Sequence, residues 1–192
     1  MNDCRVAMLA FLLLLLGVSP AFANLVADPG FESCTSGGVQ PPGWSGNGTC
    51  ALSPHTGDWA GFLGKSPGTL SQTIATTPGA AYDFSFWLAT DGSPGGGPSD
   101  FSASFGADQV LDLTNSPGFR YRLADFTVTA AATSTMISFV GFSELFWLVD
   151  DVSVTPAPEP AGLALFAAGL LGLGAARRRA RQPAAPQDRT KV

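Results

Sequence analysis

The chain has 192 residues, a formal net charge of −5, 23 glycines, 15 prolines and one histidine, which suits one domain rich in strands and turns once terminal targeting segments are set aside. The charge is unevenly placed: Asn24 to Thr155 holds twelve acidic side chains against Lys65, Arg120 and Arg122, a net of −9, while Arg177 to Val192 carries a net of +5. So acidic a main portion argues against nucleic acid as a partner, because neutralising phosphates needs clustered Lys and Arg.

Residues 1–23 read as a secretory signal peptide. Arg5 supplies a short positive region, Val6 to Val18 an apolar one, and Ala21-Phe22-Ala23 a small-residue cleavage site. The mature chain is then expected to start at Asn24, in an oxidising compartment. Cys4 leaves with the signal, so Cys34 and Cys50, 16 positions apart, are expected to form a disulfide. Two thiols with no histidine nearby make a poor metal site by comparison.

From Asn24 to Thr155 the apolar pattern has a period of two. Trp59–Leu63, Leu70–Ala75, Tyr82–Leu88, Phe101–Phe105, Leu123–Thr129, Met136–Phe142 and Phe146–Val154 are strand candidates, with Gly92–Pro98 as a loop. No stretch inside this region has a helical period, so residues 24–155 are expected to form an all-β, antiparallel sandwich. Trp87 and Trp147 fall on the polar faces of their strands, beside Asp83, Ser85, Asp151 and Ser153. Such a tryptophan either stacks on sugar rings or is covered by a second sheet or a loop. Trp44 and Trp59 read as core or turn packing.

Strict alternation through the last strand puts Leu148, Asp150, Val152 and Val154 on the coreward face. An ionised Asp150 there is costly unless it is paired. A bound calcium ion would resolve the cost, and so would the N–H groups of a turn capped by the carboxylate. Catalysis finds little support: His55 is the sole histidine, and no Gly-x-Ser-x-Gly, His-Glu-x-x-His or phosphate-loop pattern occurs.

Residues 156–160 form a proline-rich linker. Ala161 to Ala176 then run without a charge into Arg177, Arg178, Arg179 and Arg181. As a helix, 16 residues rise about 24 Å, short of a hydrocarbon core of about 30 Å. The segment has no polar face, and basic residues on one flank place residues 177–192 in the cytoplasm. A short transmembrane helix over 161–176, with the sandwich outside, is the expectation.

Pro158-Glu159-Pro160, the apolar segment and the arginines resemble the PEP-CTERM sorting signal of bacterial surface proteins. That resemblance implies processing near Pro158-Glu159-Pro160 by an exosortase, a membrane peptidase, and export linked to exopolysaccharide. A second resemblance lies in the ectodomain. Asn24-Leu25-Val26 with Gly30-Phe31-Glu32, Gly43-Trp44, Leu70–Ile74, Phe84–Leu88 and the closing Trp147–Val154 look like galactose-binding-like jelly rolls and carbohydrate-binding modules. It implies a jelly roll of about eight to ten strands with adjacent ends. It also implies a structural calcium held by Glu32 and Asp150, with carbonyls of His55–Trp59 and Asp58 as further ligands. The function expected is that of an exported, non-catalytic protein with a structural or glycan-associated role. A secreted carbohydrate-active enzyme and a lectin-like glycan-binding module are the alternatives.

Overall fold

Alternating apolar side chains put one apolar face on each strand, and two stacked sheets bury those faces against each other. The computed structural model, which describes residues 23–64, 66–92, 97–158, 169 and 171–172, has that arrangement. Ten strands follow one another: β1 (Ser45–Gly46), β2 (Thr49–Ala51), β3 (Ala60–Leu63), β4 (Gly68–Ala75), β5 (Ala81–Thr90), β6 (Ser99–Phe105), β7 (Asp108–Leu113), β8 (Phe119–Thr129), β9 (Ser134–Ser143) and β10 (Trp147–Pro156). The first sheet has the order β1-β4-β9-β6-β7 and the second β2-β3-β10-β5-β8, with every pairing antiparallel. This is the antiparallel sandwich expected from the alternation, and it is consistent with the jelly roll that the resemblance implied.

Alternate residues of facing strands make the core. Phe84 and Phe86 of β5 meet Phe101 and Phe105 of β6 and Phe139 of β9, all buried, and Phe86 stands edge-on to Phe139 with ring centroids 4.9 Å apart. Edge-to-face rings set their positive rims against negative faces, which adds to the gain from burying their area. The Cys34–Cys50 disulfide is present, and both residues are buried. It fastens the segment after Phe31 to β2, where Gly38 N–H and Cys50 N–H also bond across the same pair of segments.

The two ends of the sandwich lie together, as the resemblance implied. Leu25 N–H donates to Val154 O at 2.9 Å, and the Asn24 side chain bonds both Val152 O and Val154 N–H. Three strands have no counterpart in the sequence reading: β1 and β2, of two and three residues, and the longer β7. β7 lies at the edge of the first sheet, and its side chains are exposed or half-buried on both faces, so it carries no apolar alternation.

The parity of β10 corrects the reading of its two faces. The register with β5 shifts between Asp150 and Ser153, and Asp151 takes a left-handed φ of 47°. This bulge changes which residues face inward. Before it, Trp147 and Val149 point into the core; after it, Val152 and Val154 do. Trp147, expected on a polar face, is therefore fully buried against Phe101 and Phe119. Asp150, expected coreward, instead shares the outer face with Leu148.

The expected signal peptide, apart from Ala23, lies outside the described residues. So do Glu159, Pro160, Arg177, Arg178, Arg179, nearly all of the 161–176 segment and the basic tail. Gly169, Leu171 and Gly172 are helical. Among the described residues no helix is long and apolar enough to cross a membrane.

Candidate functional site

The loop joining β2 to β3 crosses the outer face of the second sheet and is held there by carboxylates. Asp150 Oδ2 accepts the backbone N–H of His55 at 2.7 Å and of Thr56 at 3.1 Å, and Oδ1 accepts the N–H of Asp151 at 2.7 Å. Glu32 takes the other end of the loop, accepting Asp58 N–H and Trp59 N–H on Oε1 at 3.0 and 3.1 Å. Gly57 between them has φ +72°, and a Cβ there would run into the Glu32 carboxylate. Only glycine satisfies both demands.

Asp151 fixes the side chains that Asp150 leaves free. Its Oδ2 pairs with His55 Nδ1 at 2.7 Å, and its Oδ1 accepts the Thr56 hydroxyl at 2.6 Å. The His55 ring lies flat on Trp87, with centroids 3.8 Å apart and planes 13° from parallel. Tyr121 meets the edge of His55 and donates its hydroxyl to Ser53 O at 2.9 Å. Burial, and then the charges of Asp150 and Asp151, push the Tyr121 hydroxyl well above its ordinary pKa, so it stays a donor. Burial likewise raises Asp150 to about 6; its backbone N–H partners pull against that shift and the Asp151 charge adds to it.

Beside this loop the outer sheet face departs from the usual rule of polar residues outside. Ala60 of β3, Ala89 of β5 and Leu148 of β10 are buried and form an apolar cluster separate from the core, bordered by Phe62, Tyr121 and Phe146. Alanine is a poor strand former, and here its short side chain leaves a trough. The result is an open cleft of about 930 Å³, with Ala89 and Leu148 as floor, Tyr121 and Phe146 as walls, and Asp91 and Arg120 as its charged groups. Thr90, also buried, donates its hydroxyl to Phe146 O at 2.7 Å and so steadies one wall. A cleft of this size with an apolar floor, aromatic walls and a few polar groups has the make-up of a small-molecule site.

The residues singled out from sequence divide clearly. Glu32, Asp150 and the 55–59 loop are brought together, but with the opposite polarity to a cation cage. The lone pairs of Glu32 and Asp150 face N–H donors, and Asp58 offers its own N–H to Glu32. A calcium site needs six to eight oxygens turned inward. Asp28 Oδ2 is buried with no partner, but a single oxygen is no cage. Among the described residues, no three His, Cys, Asp or Glu side chains are placed to hold a metal. As arranged, these residues do not fit calcium; they match the turn-capping alternative.

Trp87 has one face covered by His55 and borders the loop, so it is not a free platform. Trp44 is core, stacked on Phe31 at 5.0 Å. The His55–Asp151 pair lacks a nucleophile: among the described residues no hydroxyl or thiol bonds the other ring nitrogen. Tyr121, Phe146, Ala89 and Arg120 were missed in the sequence. The one available signal was alanine near strand ends, at Ala60 opening β3 and Ala89 towards the close of β5.

No protein-family model and no curated protein sequence matches the chain. Solved structures do. TmCBM61, solved with β-1,4-galactotriose, is 19% identical with a TM-score of 0.50, over 70% of this chain and 99% of that one. The CBM22-1 xylan-binding domain of Xyn10C from Paenibacillus barcinonensis is 11% identical with a TM-score of 0.54, over 74% and 100%. The K3 adhesin domain of Lys-gingipain from Porphyromonas gingivalis is 12% identical with a TM-score of 0.52, over 71% and 100%. At such identities the likeness establishes the sandwich fold.

Two predictions follow from the carboxylate clamp. Millimolar calcium shifts the melting temperature of the purified protein by less than about 1 °C relative to EDTA, whereas Glu32→Gln lowers it by several degrees in both, since weakening a charged acceptor of backbone N–H groups costs on the order of 1–2 kcal/mol. A calcium-dependent rise that Glu32→Gln abolishes would restore the metal site. In EDTA, the Asp150 contribution runs opposite to that of a paired carboxylate. Because its folded pKa, about 6, lies above the unfolded value, the native state retains a proton that the unfolded state releases, and stability falls as pH rises from about 4 to 6. Urea unfolding across that range should show the fall in the parent and a flatter profile in Asp150→Asn; equal slopes contradict the assignment.

Proposed function

We propose that the sandwich binds a polysaccharide chain without altering it, in the cleft over the outer face of the second sheet. The observation that carries this reading is the apolar trough at Ala60, Ala89 and Leu148, walled by Tyr121 and Phe146. An apolar trough on a sheet face left open to water is unfavourable in isolation. A pyranose offers C–H faces that cover such a floor, while its hydroxyls reach Asp91 and Arg120. The xylan- and galactotriose-associated structures of like fold support the choice of ligand class.

The carboxy-terminal sequence supports a place for this binding. Pro158-Glu159-Pro160, the uncharged segment and the arginines suit an exported protein, sorted by an exosortase and displayed among exopolysaccharide at the cell surface.

Affinity electrophoresis through gels containing galactan or xylan tests the binding. The expected result is retardation of the parent and a loss of roughly tenfold or more in affinity for Tyr121→Ala and Phe146→Ala, the aromatic truncations that dominate such sites. Trp87→Ala should instead lower stability, and unchanged retardation of both wall variants defeats the proposal. Mass spectrometry of the protein from its native host should find a mature start at Asn24 and a carboxy-terminus near Pro158–Pro160; an intact 192-residue mass would contradict the sorting reading.

A further inference from the structure

The domain holds twelve acids and three bases, so each cation has many opposite charges to choose from. Arg122 lies over the Phe119 ring, 4.8 Å from its centroid. Arg120 lines the cleft and is exposed. The backbone of Asp91 and Gly92 packs directly on Pro117 and Gly118, which brings Asp91 close in space to the start of β8. Even so, Arg120 forms no ion pair with it. Among the described residues, the ion pair found within 4 Å is His55–Asp151.

A guanidinium left unmatched in an acidic domain, beside an apolar floor and aromatic walls, is a recognition group without its counterpart. Its planar fork takes a carboxylate through two parallel hydrogen bonds. We infer that the cleft selects a glycan bearing uronic-acid carboxylates, with Arg120 receiving the carboxylate; this rests on the polysaccharide-binding reading above. Asp91 sets the polarity of the cleft. It repels a carboxylate on its own side and accepts hydroxyl hydrogens from a neighbouring sugar, so the acidic residue is directed to Arg120. The net charge of −9 does not forbid this, since at physiological salt charges beyond about 8 Å are largely screened.

The test uses the full-length protein in neutral detergent with polygalacturonate and with the same polymer after carboxyl reduction, which leaves chain and linkage intact and removes the charge. Thermophoresis should give binding to the native polymer roughly tenfold tighter than to the reduced one. In Arg120→Gln the ratio of the two affinities falls towards one. In Asp91→Asn the ratio rises. Equal affinities in the parent, or a ratio that Arg120→Gln leaves unchanged, overturn the acidic preference while the polysaccharide-binding reading stands. Binding to neither polymer, nor to galactan or xylan, overturns both.

Discussion

Five backbone N–H groups and two carboxylates decide the character of this fold's outer face. Asp150 and Glu32 hold the two ends of the β2–β3 loop against the second sheet, and Asp150 also takes the N–H of its own successor. Loop N–H groups pointing at a sheet would otherwise lack partners, and unpaired buried donors are costly. The carboxylates meet that need, and the sheet face gains a wall. Without the loop there would be no cleft edge at Ser53, no cover on Trp87 and no partner for the Tyr121 hydroxyl.

Asp150 accepts a penalty for this task. It is buried, with Asp151 next to it, and its proton affinity rises accordingly. The bulge that follows puts Asp151 in a left-handed conformation and lets two consecutive acids serve one loop, one through its backbone and the other through His55 and Thr56. A regular strand would have sent the second carboxylate to the opposite face. Strain and burial thus fall on the residues that position the wall, as is common beside binding surfaces.

The sandwich was legible because period-two alternation is a direct imprint of burial, and Phe84, Phe86, Phe101, Phe105 and Phe139 carry it without interruption. The disulfide was legible from arithmetic on three cysteines. The faces of β10 were not, since a bulge is a one-residue change of parity that leaves no mark on composition. Trp147 and Asp150 both exchanged faces for that reason. The cleft was hidden for a different reason: its floor pairs Ala89, a weak strand former, with Leu148, which the unbroken alternation had assigned to the core face. Its walls come from residues far apart in the chain, at Tyr121 and Phe146, which only the strand order brings to one surface. Asp150 as a partner of turn N–H groups was foreseen as an alternative, but which alternative prevailed depended on the polarity of the loop, a property of backbone direction.

The closing strand has a mechanical meaning. β10 is central in its sheet, laddered to β3 on one side and β5 on the other, and it is the strand from which the chain leaves towards residue 158. A pull on that exit runs along the strand axis and loads both ladders in shear at once, so many hydrogen bonds must yield together before the strand slides. The Asn24 side chain, hooked onto Val152 and Val154 at the exit, adds a latch where the load enters. The cleft has its Leu148 floor one residue into this same strand, so the cleft floor and the exit share one continuous stretch of backbone.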